Sequence, residues 1–286
     1  MRIGAIVLQA LPWSELAPVF RRIEEIGCDV AYVADHLTHP TMVGEWLGEA
    51  FATLAAAATV TDGVELGTLV ASAAFRSPVT LSRSAATVQD VSGGRLVLGL
   101  GSGSPHCAAA DRGAHPTPRE LVDRFADVVE GLGRVWADDE SWHGKVLSYD
   151  GSQVSPLAPG STPPFLLLAA HGPRTFDLVA RHADGWSTYG GAPATQLPPD
   201  EFWQAVALQS GAVTEACERV GRTEPLRRSL LLGYGTIRPL ESAETFRECL
   251  DRAEEHGFDE VVVYWPYGEA GGRFAGDPDV LASLAG

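Results

Sequence analysis

The sequence predicts an α/β protein built as a closed (β/α)8 barrel. Eight short apolar runs alternate with helix-length amphipathic segments, the order that yields a parallel sheet. The chain's 286 residues are close to the usual length of such a barrel. No shift in composition marks a second domain, so residues 1–286 are read as one unit. A doubly wound open sheet is the structural alternative.

The first strand is residues 3–8, IGAIVL. Ser14 is read as the cap of a helix with Ala17, Phe20, Ile23 and Ile26 on one face and Gly27 at its stop. The second strand, DVAYVA at 29–34, ends in Asp35-His36. An Ala-rich helix over 46–60 is closed by Thr61-Asp62-Gly63, and strand three runs over 64–70. Pro78 opens a helix through Leu81, Ala85 and Val88 that ends near Ser92-Gly93-Gly94. Strand four, 95–100, leads into the turn Gly101-Ser102-Gly103-Ser104. Pro118 opens a helix with Leu121, Phe125, Val128, Val129 and Leu132 on its apolar side. Residues 138–162 are rich in Gly, Ser, Pro and Asp and read as a functional loop or an inserted hairpin.

Residues 163–186 form the stretch around which the chain is organised. Strand five is FLLL at 165–168. Ala169, Ala170 and Gly172 are small enough for another group to approach the backbone. Pro173 suits the first helical position, where its missing N–H costs nothing. The free N–H groups of that helix start favour an anion, and Arg174 could add a bidentate phosphate contact. The plainer alternative is a strand-to-helix turn with a surface arginine. Strand six covers 183–188, a helix 199–220, strand seven 226–234, a helix 241–256, strand eight 258–264 and a last short helix 278–284.

Composition excludes some functions. The formal charge of −16 argues against nucleic acid and disfavours an anionic membrane, and it reads as a solvated acidic surface. No apolar run approaches the length of a membrane span. The N-terminus is too short and too quickly polar for a signal peptide. Cys28, Cys107, Cys217 and Cys249 form no metal or redox motif and are read as free thiols of a cytoplasmic protein.

In a barrel the active site lies where the strand C-termini meet. That gathers Asp35, His36, the turns at 69–75 and 101–106, residues 171–174, Trp186, Tyr264 and Trp265 around one mouth.

These residues carry a resemblance. DGVELGTLVASAAFRSPVTLSRSAATVQDVSGGRLVLGLGSG at 62–103 resembles the luciferase-like flavin and deazaflavin oxidoreductase superfamily, as do AYVADH, LAAHGPR and ARHADGW. The likeness runs nearly end to end, and the SGGR–apolar–GLGSG block is its most specific part. It implies a luciferase-like TIM barrel with inserted loops that holds a deazaflavin or a flavin and acts on a small-molecule substrate. Members divide between enzymes using coenzyme F420 and FMN-dependent monooxygenases.

Asp35-His36 looks like the pair that ends strand two in F420-dependent members. Ala169-Ala170-His171-Gly172-Pro173-Arg174 looks like their phosphate-holding turn. The resemblance therefore implies coenzyme F420, with FMN as the alternative. The contacts it implies are Leu69, Val70, Ala71, Ser72, Gly101, Ser102, Gly103, Ala170, His171, Gly172, Pro173 and Arg174. It also implies a non-proline cis peptide near Leu69–Val70 and a homodimer, for which the Ala-rich helix offers a close-packing face. Ser104 departs from the pattern: some sugar-phosphate dehydrogenases of the family carry an acid–base glutamate there. The usual aromatic after that turn is missing as well.

Hydride chemistry belongs to the cofactor ring, so the protein supplies position and a proton route. The turn Ala71-Ser72-Ala73-Ala74 would let a planar ring lie against backbone. His36, with an unperturbed pKa near 6.5, suits the proton transfer, and Asp35 could orient it. The structural alternative is that Asp35 bonds backbone N–H groups and His36 packs. His106 is a possible substitute acid or base, or else a solvent-exposed loop residue. A metal-dependent hydrolase using His36, His106 and His171 is disfavoured, because no two of them sit at a recognised ligand spacing, and no metal is expected. A relative that has lost activity is a further reading, left open by Ser104. His115, Trp142 and His143 lie on loops that read as surface before lid.

Overall fold

The computed structural model describes residues 1–38, 44–150, 157–268 and 274–283. The expected end of the last helix at 284 and part of the expected 138–162 loop lie outside the described residues.

Eight parallel strands close into a barrel. They are β1 (Arg2–Val7), β2 (Val30–Val33), β3 (Glu65–Thr68), β4 (Leu96–Gly101), β5 (Phe165–Ala169), β6 (Gly185–Thr188), β7 (Arg227–Leu231) and β8 (Glu260–Tyr264). Each pairs with the next, and β8 returns to β1 with Arg2 opposite Glu260. All eight expected strands are present, some shortened by a few residues. A two-residue strand, Ala71–Ser72, extends the β3 edge along Leu100 and Gly101. The Leu69–Val70 peptide between them is cis, where the resemblance placed it.

The helices are α1 (Trp13–Glu25), α2 (Ala50–Ala58), α3 (Pro78–Val91), α4 (Pro105–Arg112), α5 (Pro118–Trp136), α6 (Pro173–His182), α7 (Pro199–Val220), α8 (Ala243–Glu255) and α9 (Pro278–Ala282). Three details differ from expectation. Ser14 does not cap α1; Pro12 stands at the N-cap, and its carbonyl accepts from the N–H groups of Glu15 and Leu16. The α2 helix begins at Ala50 because the Glu49 carboxylate caps it, accepting from the Ala52 N–H at 2.6 Å. Third, α4 is a helix where a loop was expected.

Strand alternation creates two apolar layers. One face of the strands packs on the helices through residues such as Phe20, Leu54, Phe125 and Trp186. The other face fills the barrel with Ile6, Val30, Tyr32, Val97, Leu167 and Val262. Tyr32 occupies the lumen because position 67 is glycine; a Cβ there would lie 2.7 Å from its ring.

The Ser92-Gly93-Gly94-Arg95 block has a structural task. The Arg95 guanidinium donates to the carbonyls of Val64, Ala58 and Thr61, tying the end of α2 to the start of β3. Within the 138–162 stretch a hairpin pairs Trp142–His143 with Ser148–Tyr149. The buried Asp127 of α5 fastens it by accepting the N–H groups of Lys145, Val146 and Leu147 at 3.0, 2.5 and 2.8 Å. Trp142 and His143 therefore belong to an anchored hairpin. Among the described residues no helix is long and apolar enough to cross a membrane.

Candidate active site

A cavity of about 460 Å³ opens at the C-terminal ends of the strands. His36 enters it after β2, Leu69 and Val70 after β3, and the 101–104 turn after β4. His106 on α4 and His171 after β5 also line it. Together with Tyr264 at the end of β8, these are the sequence-derived residues that the fold brings together around one space.

Asp35 is not among them. Its carboxylate is 5% exposed and turned behind the wall. It accepts from Arg76 Nε at 2.6 Å and Arg76 Nη2 at 2.7 Å, and from the Ser72 N–H at 3.0 Å. This bidentate pair holds the turn after β3 against the end of β2. The expected task of orienting His36 is corrected: the carboxylate is committed to Arg76 because a planar guanidinium satisfies both of its oxygens at once. At Nδ1, His36 meets Cys107, whose Sγ lies 3.7 Å away.

The 71–74 turn is also corrected. Ala71, Ala73 and Ala74 are fully buried, and Ser72 is 3% exposed. The cavity wall here is Leu69 and Val70, with Ala71 and Ser72 packed behind it. The opposite floor is Gly101-Ser102-Gly103. A Cβ at Gly101 would come 2.7 Å from Val70 Cγ2, and one at Gly103, where φ is +75°, would collide with Ser72 Oγ. Ser72 Oγ is buried with no partner among the described residues. A floor of bare backbone facing the apolar wall of Leu69 and Val70 fits a flat heteroaromatic group.

The turn at 169–174 divides. His171 reaches the cavity with its ring edge-on to Tyr189 at 4.7 Å, and desolvation by the cavity walls lowers its pKa. Ala170 is buried, and its carbonyl accepts the Trp186 Nε1–H at 3.0 Å. Gly172 and Pro173 begin α6 as expected, outside the cavity lining. The Arg174 guanidinium binds the Asp123 carboxylate, which also accepts Lys145 Nζ at 2.5 Å. Those two contacts, Lys145 first, hold the Asp123 carboxyl down to about 2. Arg174 thus stands at the expected helix start, paired with a carboxylate.

Trp186 is fully buried between the barrel and the helices, stacked on Phe258 at 5.7 Å, so its expected place at the mouth is corrected. The aromatic wall comes from Tyr264 at the end of β8, where it was expected, and from loop residues: Tyr189 meets Tyr234 at 5.7 Å, and Tyr264 stacks on Phe274 at 4.3 Å. Ser104 caps α4, its Oγ accepting the Cys107 N–H at 3.2 Å. Arg76 and Cys107 are the functional neighbours that sequence reasoning missed. The signal for Cys107 was present: Ser104-Pro105 is an N-cap followed by proline at the first helical position, and it puts position 107 in the first turn.

The sequence model of the luciferase-like monooxygenase family matches residues 1–198. An uncharacterized protein of Mycobacterium tuberculosis is 32% identical over 136 residues, 47% of this chain and 48% of that one. An F420-dependent glucose-6-phosphate dehydrogenase of Nocardia farcinica is 27% identical over 212 residues, 73% of this chain and 62% of that one. The matches thus span about half to under two thirds of these curated relatives. The fold is that of coenzyme F420-dependent tetrahydromethanopterin reductase from Methanopyrus kandleri, with a TM-score of 0.76 at 14% identity, covering 99% of this chain and 97% of that one.

Proposed function

The chain belongs to the luciferase-like monooxygenase family, and from that premise we propose that it is a coenzyme F420-dependent oxidoreductase acting on a small organic molecule. The observation that carries this reading is the cavity floor. Bare backbone at Gly101 and Gly103 faces Leu69 and Val70, and His36 stands at the same mouth. Relatives named as F420-dependent support the choice of cofactor.

When bound, F420 supplies the hydride donor or acceptor. Leu69, Val70, Gly101 and Gly103 would hold its ring, and the positive end of the α6 dipole, beginning at Pro173, would face its phosphate. His36 holds or moves the proton at the substrate atom that gains or loses one. Tyr189, Tyr234 and Tyr264 wall that part of the cavity and limit water. Ser104 is occupied as a helix cap, so proton exchange falls to His36 and not to position 104.

The four cysteines are unbridged, in keeping with a reducing cytoplasm, and a homodimer completes the reading. Light scattering near twice 30.3 kDa would agree, and a monomer at micromolar concentration would remove the dimer. The cofactor is tested by fluorescence titration with F420 and with FMN. Tighter F420 binding is expected; equal or tighter FMN binding overturns the proposal in favour of an FMN-dependent monooxygenase.

A further inference from the structure

We propose that Cys107 is the positioning residue of His36, fixing the imidazole as the tautomer with its hydrogen on Nδ1. Its importance for catalysis rests on the reading of His36 as the proton-exchanging group.

Cys107 is fully buried at the third position of α4, directly below the mouth. Its Sγ lies 3.6 Å from the Thr38 carbonyl oxygen and 3.7 Å from His36 Nδ1. A thiol has one hydrogen to donate, and its sulfur can accept. The Thr38 carbonyl can only accept. With the S–H directed at Thr38 O, the sulfur lone pair faces Nδ1, which must then carry hydrogen. The opposite arrangement, S–H to Nδ1, sets sulfur lone pairs against the carbonyl oxygen.

A thiolate makes the same demand, because it is an acceptor only. Burial pushes the thiol up, but the contacts with His36 and Ser104 outweigh it and bring Cys107 down to about 7. The N-terminus of α4 favours the same charge. Around neutrality both sulfur states therefore occur, and both place the hydrogen on Nδ1. Nε2 then bears the lone pair, the state a general base needs. Asp35 cannot substitute, since Arg76 and the Ser72 N–H take its oxygens.

The test reads the tautomer without cofactor. Protein labelled with 15N-histidine gives two-bond 1H–15N spectra in which the two neutral tautomers differ, and His36→Gln assigns the signal. In the unaltered chain, with the imidazole neutral, the Nδ1–H pattern is expected. Cys107→Ala should release it to the Nε2–H pattern. Cys107→Ser should retain Nδ1–H, because a hydroxyl can donate to Thr38 O and accept from Nδ1. If Cys107→Ala fails to fold, Cys107→Val fills the space without a bonding atom and makes the same test.

An Nε2–H pattern in the unaltered chain, or an unchanged tautomer in Cys107→Ala or Cys107→Val, overturns the proposal. With F420 and a substrate, Cys107→Ala should lower kcat at least tenfold with KM within a few-fold, and Cys107→Ser should restore most of it. Failure to bind F420 would sink the proposed function and leave the tautomer result standing. A wrong tautomer in a chain that binds F420 would sink only the role of Cys107.

Discussion

At the N-terminal end of the barrel, Glu260 is fully buried and surrounded by partners. It accepts from the Tyr32 hydroxyl at 3.0 Å and Arg2 Nε at 3.3 Å, while Arg2 and Arg227 reach Glu65 at 2.6 and 3.1 Å. The Arg227 guanidinium also lies 3.7 Å over the Phe165 ring. At the C-terminal end of the same strands lie an open cavity and a floor of glycine; Ser72 Oγ and Gln9 Oε1 are buried without partners among the described residues, as is Ser229 Oγ opposite Glu260 at the other end. One end is closed by matched charge and the other keeps an open cavity. A barrel end can be either satisfied or receptive, and stability and ligand binding are therefore separable by mutation.

His36→Ala should separate them most sharply. Turnover is expected to fall roughly 10²–10⁴-fold, about 3–5 kcal/mol of barrier, with the urea midpoint little changed and cofactor affinity within a few-fold. Unchanged turnover would remove His36 from the chemistry. Glu260→Ala is the converse. It leaves Arg2, Arg227 and the Tyr32 hydroxyl facing a buried gap. The expected cost is about 3 kcal/mol in a denaturant titration, the low end for a broken buried pair because Arg2 stays partly in solvent. Cofactor affinity of the folded protein should be unchanged. If stability were unchanged, the matched charges would contribute nothing measurable to closing that end.

Gly103→Ala acts on both properties. The left-handed backbone and the collision with Ser72 Oγ should cost about 1–2 kcal/mol, and the floor displaced by that collision should weaken cofactor binding in the same titration. Binding as tight as in the unaltered chain would remove the floor from the site.

Arg174→Ala has the smallest expected effect. The side chain is 57% exposed and paired with Asp123, so stability should change by less than about 1 kcal/mol. A tenfold or greater loss of cofactor affinity would show that Arg174 leaves Asp123 for a phosphate. Asp123 has its own pH signature. Its carboxyl is held down to about 2, so the stability it contributes is present above the unfolded value near 4. That contribution should disappear as pH falls from about 4 toward 2. Acid titration of Asp123→Asn should lack this part of the transition.

Much of this architecture was legible in the chain. The eight strands follow from runs such as FLLL at 165–168 and VVVY at 261–264, because a strand buried on both faces must be apolar throughout. Their alternation with amphipathic helices determines a parallel barrel, and the barrel determines which strand ends share a mouth. His36, Leu69, Val70, the 101–103 turn, His106 and His171 share a mouth on that basis alone. The partners could not. Asp35 looked like the neighbour of His36 because the two are adjacent in sequence, yet successive residues leaving a strand point to opposite sides. One entered the cavity and the other turned back to Arg76, forty-one positions along the chain. Arg174 met Asp123 and His36 met Cys107 by the same kind of long-range approach. Periodicity and turn chemistry are local, so the sequence by itself determined the elements and their order. Which polar group satisfies which depends on side-chain direction and helix packing, and only the closed barrel decided it.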